Sequence, residues 1–116
     1  MIRIISALSD FSNTRDCEYI GRANKWKARK ASPLANPFRI GRDGDRDTVV
    51  DKYAAWLSER ISAGDRAVLD ELERLTSIAE RTGSLTLVCW CPPGARCHGD
   101  VIKAAIEGVL RKEEVA

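Results

Sequence analysis

The chain is expected to fold as a small single-domain α/β sandwich, Rossmann-like, with a mostly parallel sheet and flanking helices. Three observations predict this. Apolar, β-branched runs stand at residues 2–8 and 84–90. Two segments with helical periodicity lie between them and a third follows. A length of 116 residues is enough for one hydrophobic core and not for two. Strand and helix patterns in alternation indicate helices packed on a parallel sheet.

Each element has its own signal. Residues 2–8 (Ile-Arg-Ile-Ile-Ser-Ala-Leu) are short and rich in β-branched side chains, which favours a first strand. Cys17 to Ile20 can form a second, ending at Gly21 and Arg22. Residues 22–44 hold Pro33, Pro37, Gly41 and Gly44 and are expected to be a long loop, with residues 32–38 as a tight structured piece. A loop of that length in a compact domain is usually functional or disordered, and order with a functional role is favoured here.

Helical periodicity begins after Asp45. Val49, Val50, Tyr53, Leu57 and Ile61 share one face, with Trp56 at its edge. Asp45 or Asp47 can cap its start, and Gly64 ends it. A second helix follows from Asp65, with Val68, Leu69, Leu72, Leu75 and Ala79 as its buried stripe and Gly83 as its stop. After the strand at 84–90, a last helix over 99–112 should bury Val101, Ile102, Ala105, Ile106, Val109 and Leu110. The acidic tail, residues 113–116, is expected to fray. No repeat and no second domain are visible, so residues 1–116 read as one unit.

Composition narrows the class. The chain is 44% hydrophobic and 31% charged, as in an ordinary soluble domain. It has no apolar run near the roughly 20 residues that cross a bilayer. The apolar stretch at the N-terminus is too short for a signal peptide. A cytoplasmic protein with reduced thiols and no membrane partner is therefore expected. The net charge of +2 hides an asymmetry: residues 22–42 carry seven basic side chains and no acidic one, and the remainder carries 12 basic against 17 acidic. This stretch, with Trp26 and Phe38 interleaved, can bind a small anion or nucleic acid. It is equally readable as a solvated loop. It has no recognition-helix pattern, so duplex DNA ranks below a small anionic ligand.

The chemistry concentrates at Cys89-Trp-Cys91-Pro-Pro-Gly-Ala-Arg-Cys97-His98-Gly-Asp100, where three of four cysteines and the single histidine fall within ten residues. Three readings are open. Cys89, Cys91, Cys97 and His98 form a Cys₃His set suited to tetrahedral zinc. If His98 stands outside that shell, one position is open to water or substrate. Alternatively, Cys97 at a helix start is a nucleophilic or redox thiol, with His98 relaying a proton and Asp100 orienting the imidazole. Finally, Cys89 and Cys91 can be core residues, as buried free cysteines often are. Cys17, remote in sequence, reads as core. The chain lacks the His-x-Glu and Cys-x-x-Cys of nucleoside deaminases, the His-Glu-x-x-His of metalloproteases, the phosphate-binding P-loop and the Gly-x-Ser-x-Gly elbow.

Ser32-Pro-Leu-x-Asn36-Pro37-Phe38, then Arg46, Tyr53 and Leu57, then Cys89-Trp-Cys91 and Cys97-His98-Gly99-Asp100, resemble the domain of unknown function 4326 family. Its members are small bacterial and phage proteins with Asn-Pro-Phe and Cys-His-Gly motifs. The resemblance runs from about Tyr19 to Ile106. Here Ala35 precedes Asn36 where glycine is expected, and five residues separate Cys91 from Cys97. The resemblance implies a site without naming a reaction; occurrence in phages suggests nucleotide or nucleic-acid metabolism by analogy.

Together the motifs are expected to line one pocket. Asn36 can read a polar ligand, or serve only as a turn residue before proline. Arg46 can hold an anion, or pair with Asp43 or Asp47. Arg22, just past a strand end, can bind a phosphate, and Ser32 belongs to the same ligand-binding group. Asp100 can act as an acid–base group, or favour the helix dipole. The leading expectation is a small cytosolic enzyme of nucleotide or nucleobase metabolism with zinc beside an anion-binding loop. The alternative is a non-catalytic module, fixed by zinc or packed thiols, that docks on nucleic acid through the basic loop.

Overall fold

A computed structural model describes residues 2–6, 17–21, 31–89 and 95–115. The chain runs β1 (Ile2–Ser6), β2 (Cys17–Tyr19), α1 (Arg46–Ser62), α2 (Arg66–Thr82), β3 (Leu85–Cys89) and α3 (His98–Val115). The three strands form a sheet in the order β1-β3-β2. Both pairings are parallel, with Ser6 opposite Cys89 and Tyr19 opposite Val88. This is a small α/β domain, as the alternation of patterns predicts.

β3, the last strand in sequence, lies in the middle. Its position explains its composition: all five residues of Leu85–Cys89 are buried, and a central strand of a parallel sheet is covered on both faces. Leu85, Leu87 and Cys89 join the main core with Ile2, Tyr53, Leu57, Val68, Leu75, Ile102 and Ile106. Helix α3 packs on β1 and β3, α2 packs on β3 and α3, and α1 leans on α3 and α2. The salt bridge of Arg74 to Glu18 at 2.6 Å ties α2 to β2, and a second to Glu71 within α2 holds the guanidinium in place.

The helix boundaries follow their caps. Asp45, not Asp47, is the cap of α1, accepting from the Thr48 N–H at 2.9 Å. Asp65 caps α2 through the N–H groups of Ala67 and Val68. Gly83 closes α2 at φ 76°, a left-handed conformation that glycine adopts without a Cβ penalty.

Two stripe expectations need correction. Ile61 is 38% exposed, because the core contact of α1 ends at Leu57, one turn before the helix stops. Val109 is 45% exposed, because α3 meets the core along the i+4 row Ile102, Ile106 and Leu110, from which Val109 is turned away. The α3 backbone is helical through Val115, past the end expected at residue 112. Among the described residues no helix is long and apolar enough to cross a membrane.

A candidate thiol and histidine site at the carboxyl edge of the sheet

The parallel strands place their carboxyl ends together, where sites in open α/β sheets gather. Cys89 ends β3 there, beside Ser6 of β1, and Ile20 continues β2 by donating its N–H to the Val88 carbonyl at 2.9 Å. Helix α3 begins over the same edge. Its start brings Cys97 back to Cys89, with the two sulfurs 3.5 Å apart and both residues only 2% exposed. The Cys89 thiol also points at the Ile5 carbonyl, 3.8 Å away.

The sequence Cys97-His98-Gly99-Asp100 is a capping box with sulfur in the cap position. The Cys97 N–H donates to Asp100 Oδ2 at 3.0 Å, and the Asp100 N–H donates to the Cys97 carbonyl at 3.0 Å. Cys97 Sγ accepts from the Gly99 N–H at 3.1 Å. The carboxylate thus holds the first turn together. The sulfur meets an N–H of the first helical turn, at the positive end of the helix dipole. Gly99 is closely packed: a Cβ there would lie 3.1 Å from Ile20 Cδ1, 3.2 Å from Cys97 Sγ and 3.2 Å from Ile4 Cγ2.

His98 is 7% exposed, and its Nε2 sits 2.8 Å from the Ile20 carbonyl. A carbonyl oxygen only accepts, so Nε2 carries the proton and the neutral ring keeps its lone pair on Nδ1. Asp100 is occupied at the Cys97 N–H, and the Ile20 carbonyl is what orients the imidazole. Among the described residues Nδ1 has no hydrogen-bond partner.

Tyr53 joins this edge to the loop before α1. Its ring meets that of His98 edge-on at 5.1 Å, and its hydroxyl donates to the Leu34 carbonyl at 2.7 Å. Burial pushes the phenol well above its usual range, with the Cys97 sulfur nearby adding to the shift. Tyr53 reads from sequence only as a core position. Its hydroxyl is the missed signal, since a buried tyrosine needs a partner for that group.

The loop residues have defined places. The Ser32 N–H donates to the Gly21 carbonyl at 2.9 Å, and Ser32 Oγ accepts from the Leu34 N–H at 3.0 Å. Asn36, 9% exposed, uses Oδ1 to accept from the Phe38 N–H at 2.9 Å, an Asx turn. Among the described residues its Nδ2 has no partner. Arg46 pairs with neither Asp43 nor Asp47; it donates to the Arg96 carbonyl at 3.1 Å. Asp47 and Asp51 take Arg96, and Asp43 takes Arg42. Arg46 and Arg96 together fasten the segment before Cys97 onto α1. Asp43 also accepts from the Arg39 N–H, and this with Arg42 holds its carboxyl below the usual range.

Arg22 and Cys91 lie outside the described residues, as do Lys25, Lys27, Arg29 and Lys30 of the basic stretch. For zinc, the test on the described side chains is partial. Two thiolates on one tetrahedral zinc stand about 3.8 Å apart, from Zn–S bonds of about 2.3 Å, so the Cys89–Cys97 spacing of 3.5 Å fits half a shell. Among the described residues no three His, Cys, Asp or Glu side chains gather where one ion could be held. The structure brings Cys97 to Cys89 and places His98 beside them, its ring directed to Ile20.

The chain was compared with protein families, curated proteins and solved structures. No curated protein and no solved structure matches it. A family model does, over residues 8–108, covering both the Asn-Pro-Phe loop and the Cys-His-Gly turn. The chain belongs to the family described as domain of unknown function 4326 (DUF4326).

Proposed function

We propose that this chain is a small cytoplasmic enzyme of nucleotide or nucleobase metabolism, with a zinc ion held by Cys89, Cys91 and Cys97 at the carboxyl edge of the sheet. The observation that carries the reading is the 3.5 Å separation of the Cys89 and Cys97 sulfurs, close to that of two thiolates on one metal. In this reading His98 stands outside the shell, in keeping with its bond to the Ile20 carbonyl. Zinc held there by the cysteines would supply a Lewis acid to polarise a substrate group or activate water.

The remaining groups do ordinary work. His98 Nδ1 accepts a proton from a substrate, while the Ile20 carbonyl stabilises the imidazolium that results. Asn36 Nδ2 offers an N–H to an anionic or carbonyl group of the ligand, its orientation fixed by the bond at Oδ1. Arg22, which follows β2 in sequence, would supply a cation for a phosphate.

The test is the metal content of protein purified without chelators or a histidine tag, beside Cys91→Ala and Cys97→Ala variants. About one zinc per chain, lost in both variants, is the expected result. A metal-free wild-type protein overturns it. Saturable binding of a mononucleotide supports an enzyme. Nucleic-acid affinity that falls steeply with salt supports the docking module instead.

One observation favours a second reading. The Gly99 N–H on Cys97 Sγ at 3.1 Å suits a reactive thiolate that needs no metal. Rapid alkylation of Cys97 near neutral pH in metal-free protein would establish it.

A further inference from the structure

Cys89 and Cys97 sit in contact and are held by different parts of the fold. Cys89 ends the central strand, paired to Ser6 across the ladder. Cys97 caps α3, so its sulfur is carried by a helix start and not by the strand ladder. Closing the 3.5 Å gap to a sulfur–sulfur bond of about 2.05 Å requires a shift of about 1.5 Å. Cys17 is no competitor for Cys89: it stands opposite Thr86, three residues back along β3, about 10 Å away at the rise of a strand.

We propose that Cys89 and Cys97 form a reversible disulfide when the protein meets hydrogen peroxide. The Cys97 thiolate attacks one peroxide oxygen; the O–O bond breaks, hydroxide leaves, and Cys97 becomes a sulfenic acid. The Cys89 sulfur then attacks the Cys97 sulfur. The S–S bond forms, the S–O bond breaks, and the sulfenic hydroxyl leaves as water with the Cys89 proton. Two thiols lose two electrons and peroxide is reduced to water. The 3.5 Å contact lets Cys89 resolve the sulfenic acid without a third thiol, and the bond reopens with an added dithiol. With both residues 2% exposed, a peroxide-sized oxidant is preferred over a bulky one. The inference uses the sulfurs of the proposed zinc site and does not require the metal. A disulfide there and a zinc ion there exclude each other.

The experiment uses the full chain, as purified and after chelator treatment, with zinc content recorded for both. Each is exposed to hydrogen peroxide, alkylated, and digested with trypsin without reductant; cleavage after Arg96 separates Cys89 from Cys97. The expected product is the Cys89 peptide joined to the Cys97 peptide, two alkylation sites fewer per chain, and full recovery with dithiothreitol. The link persists in Cys17→Ser and in Cys91→Ser and is lost in Cys97→Ser. A link through Cys91, or no link in either preparation, overturns the inference whatever the zinc content. A chain that is metal-free as purified, without chelator, and forms the link overturns the zinc reading and leaves this inference standing.

Discussion

Cys97 and Asp100 cap each other: the Cys97 N–H donates to the Asp100 carboxylate, and the Asp100 N–H donates to the Cys97 carbonyl, both at 3.0 Å. The carboxylate therefore positions the sulfur through the backbone. Asp100→Ala should lower stability by about 0.5–2 kcal/mol, the usual cost of a lost cap, as read by urea denaturation. Asp100→Asn should retain most of it, since an amide oxygen still accepts. Equal losses in both variants would show that the charge, and not the hydrogen bond, is what matters.

Tyr53 carries a pH signature. Its phenol is raised above the ordinary value of about 10 in the folded chain, so the folded state holds that proton more tightly than the unfolded chain does. The resulting stability is fully present below the unfolded value and is lost as pH rises above about 10. Tyr53→Phe should remove this alkaline loss. It should also cost about 1–3 kcal/mol at neutral pH by leaving the buried Leu34 carbonyl without its donor. Thermal unfolding of both proteins at neutral pH and above pH 10 separates the two effects. An unchanged alkaline loss in the variant would assign it to another group.

Gly99 tests packing against helix propensity. Alanine is intrinsically favoured over glycine in a helix by up to about 1 kcal/mol. At this position its Cβ would press on Ile20, Cys97 and Ile4 at 3.1–3.2 Å. Gly99→Ala should therefore destabilise by about 1–3 kcal/mol, the usual range for overpacking. Its alkylation rate at Cys97 should change as the sulfur is displaced. A more stable variant would mean that the start of α3 yields freely.

The tautomer of His98 is observable directly. Long-range nitrogen–proton correlation spectra of the neutral ring should show the proton on Nε2 and not on Nδ1, because the Ile20 carbonyl can only accept. A proton on Nδ1 of the neutral ring would break the assignment of Nδ1 as the proton acceptor.

Removal of the basic anchor at α3 is the mildest change. Arg96→Ala deletes the ion pairs to Asp47 and Asp51, which are exposed and screened by solvent. Stability should change little, whereas backbone amide exchange at Cys97 and His98 should speed up, since the segment loses a tie to α1. Unaltered exchange there would leave Arg46, through the Arg96 carbonyl, as the sufficient clamp.

Much of this architecture is legible in the order of residues, because local physics decides it. A short apolar, β-prone run marks β3, and a period of three to four marks the helices. Asp65 and Gly83 mark the ends of α2 by chemistry that acts within one turn. The crowding of Cys89, Cys97 and His98 marks the edge where the thiols meet. What the order of residues leaves open is set by distant partners. That β3 lies between β1 and β2, that Tyr53 reaches Leu34, and that Ile20 rather than Asp100 holds the His98 ring follow from packing of segments up to 84 residues apart. The stripe positions Ile61 and Val109 illustrate the same division: periodicity places a side chain on a face, and only the extent of the neighbouring element decides whether that face is covered. Local chemistry along the chain sets the elements and the crowding of thiols and imidazole; packing selects which of those atoms are engaged, because a hydrogen-bond partner is chosen by proximity in space and not along the chain.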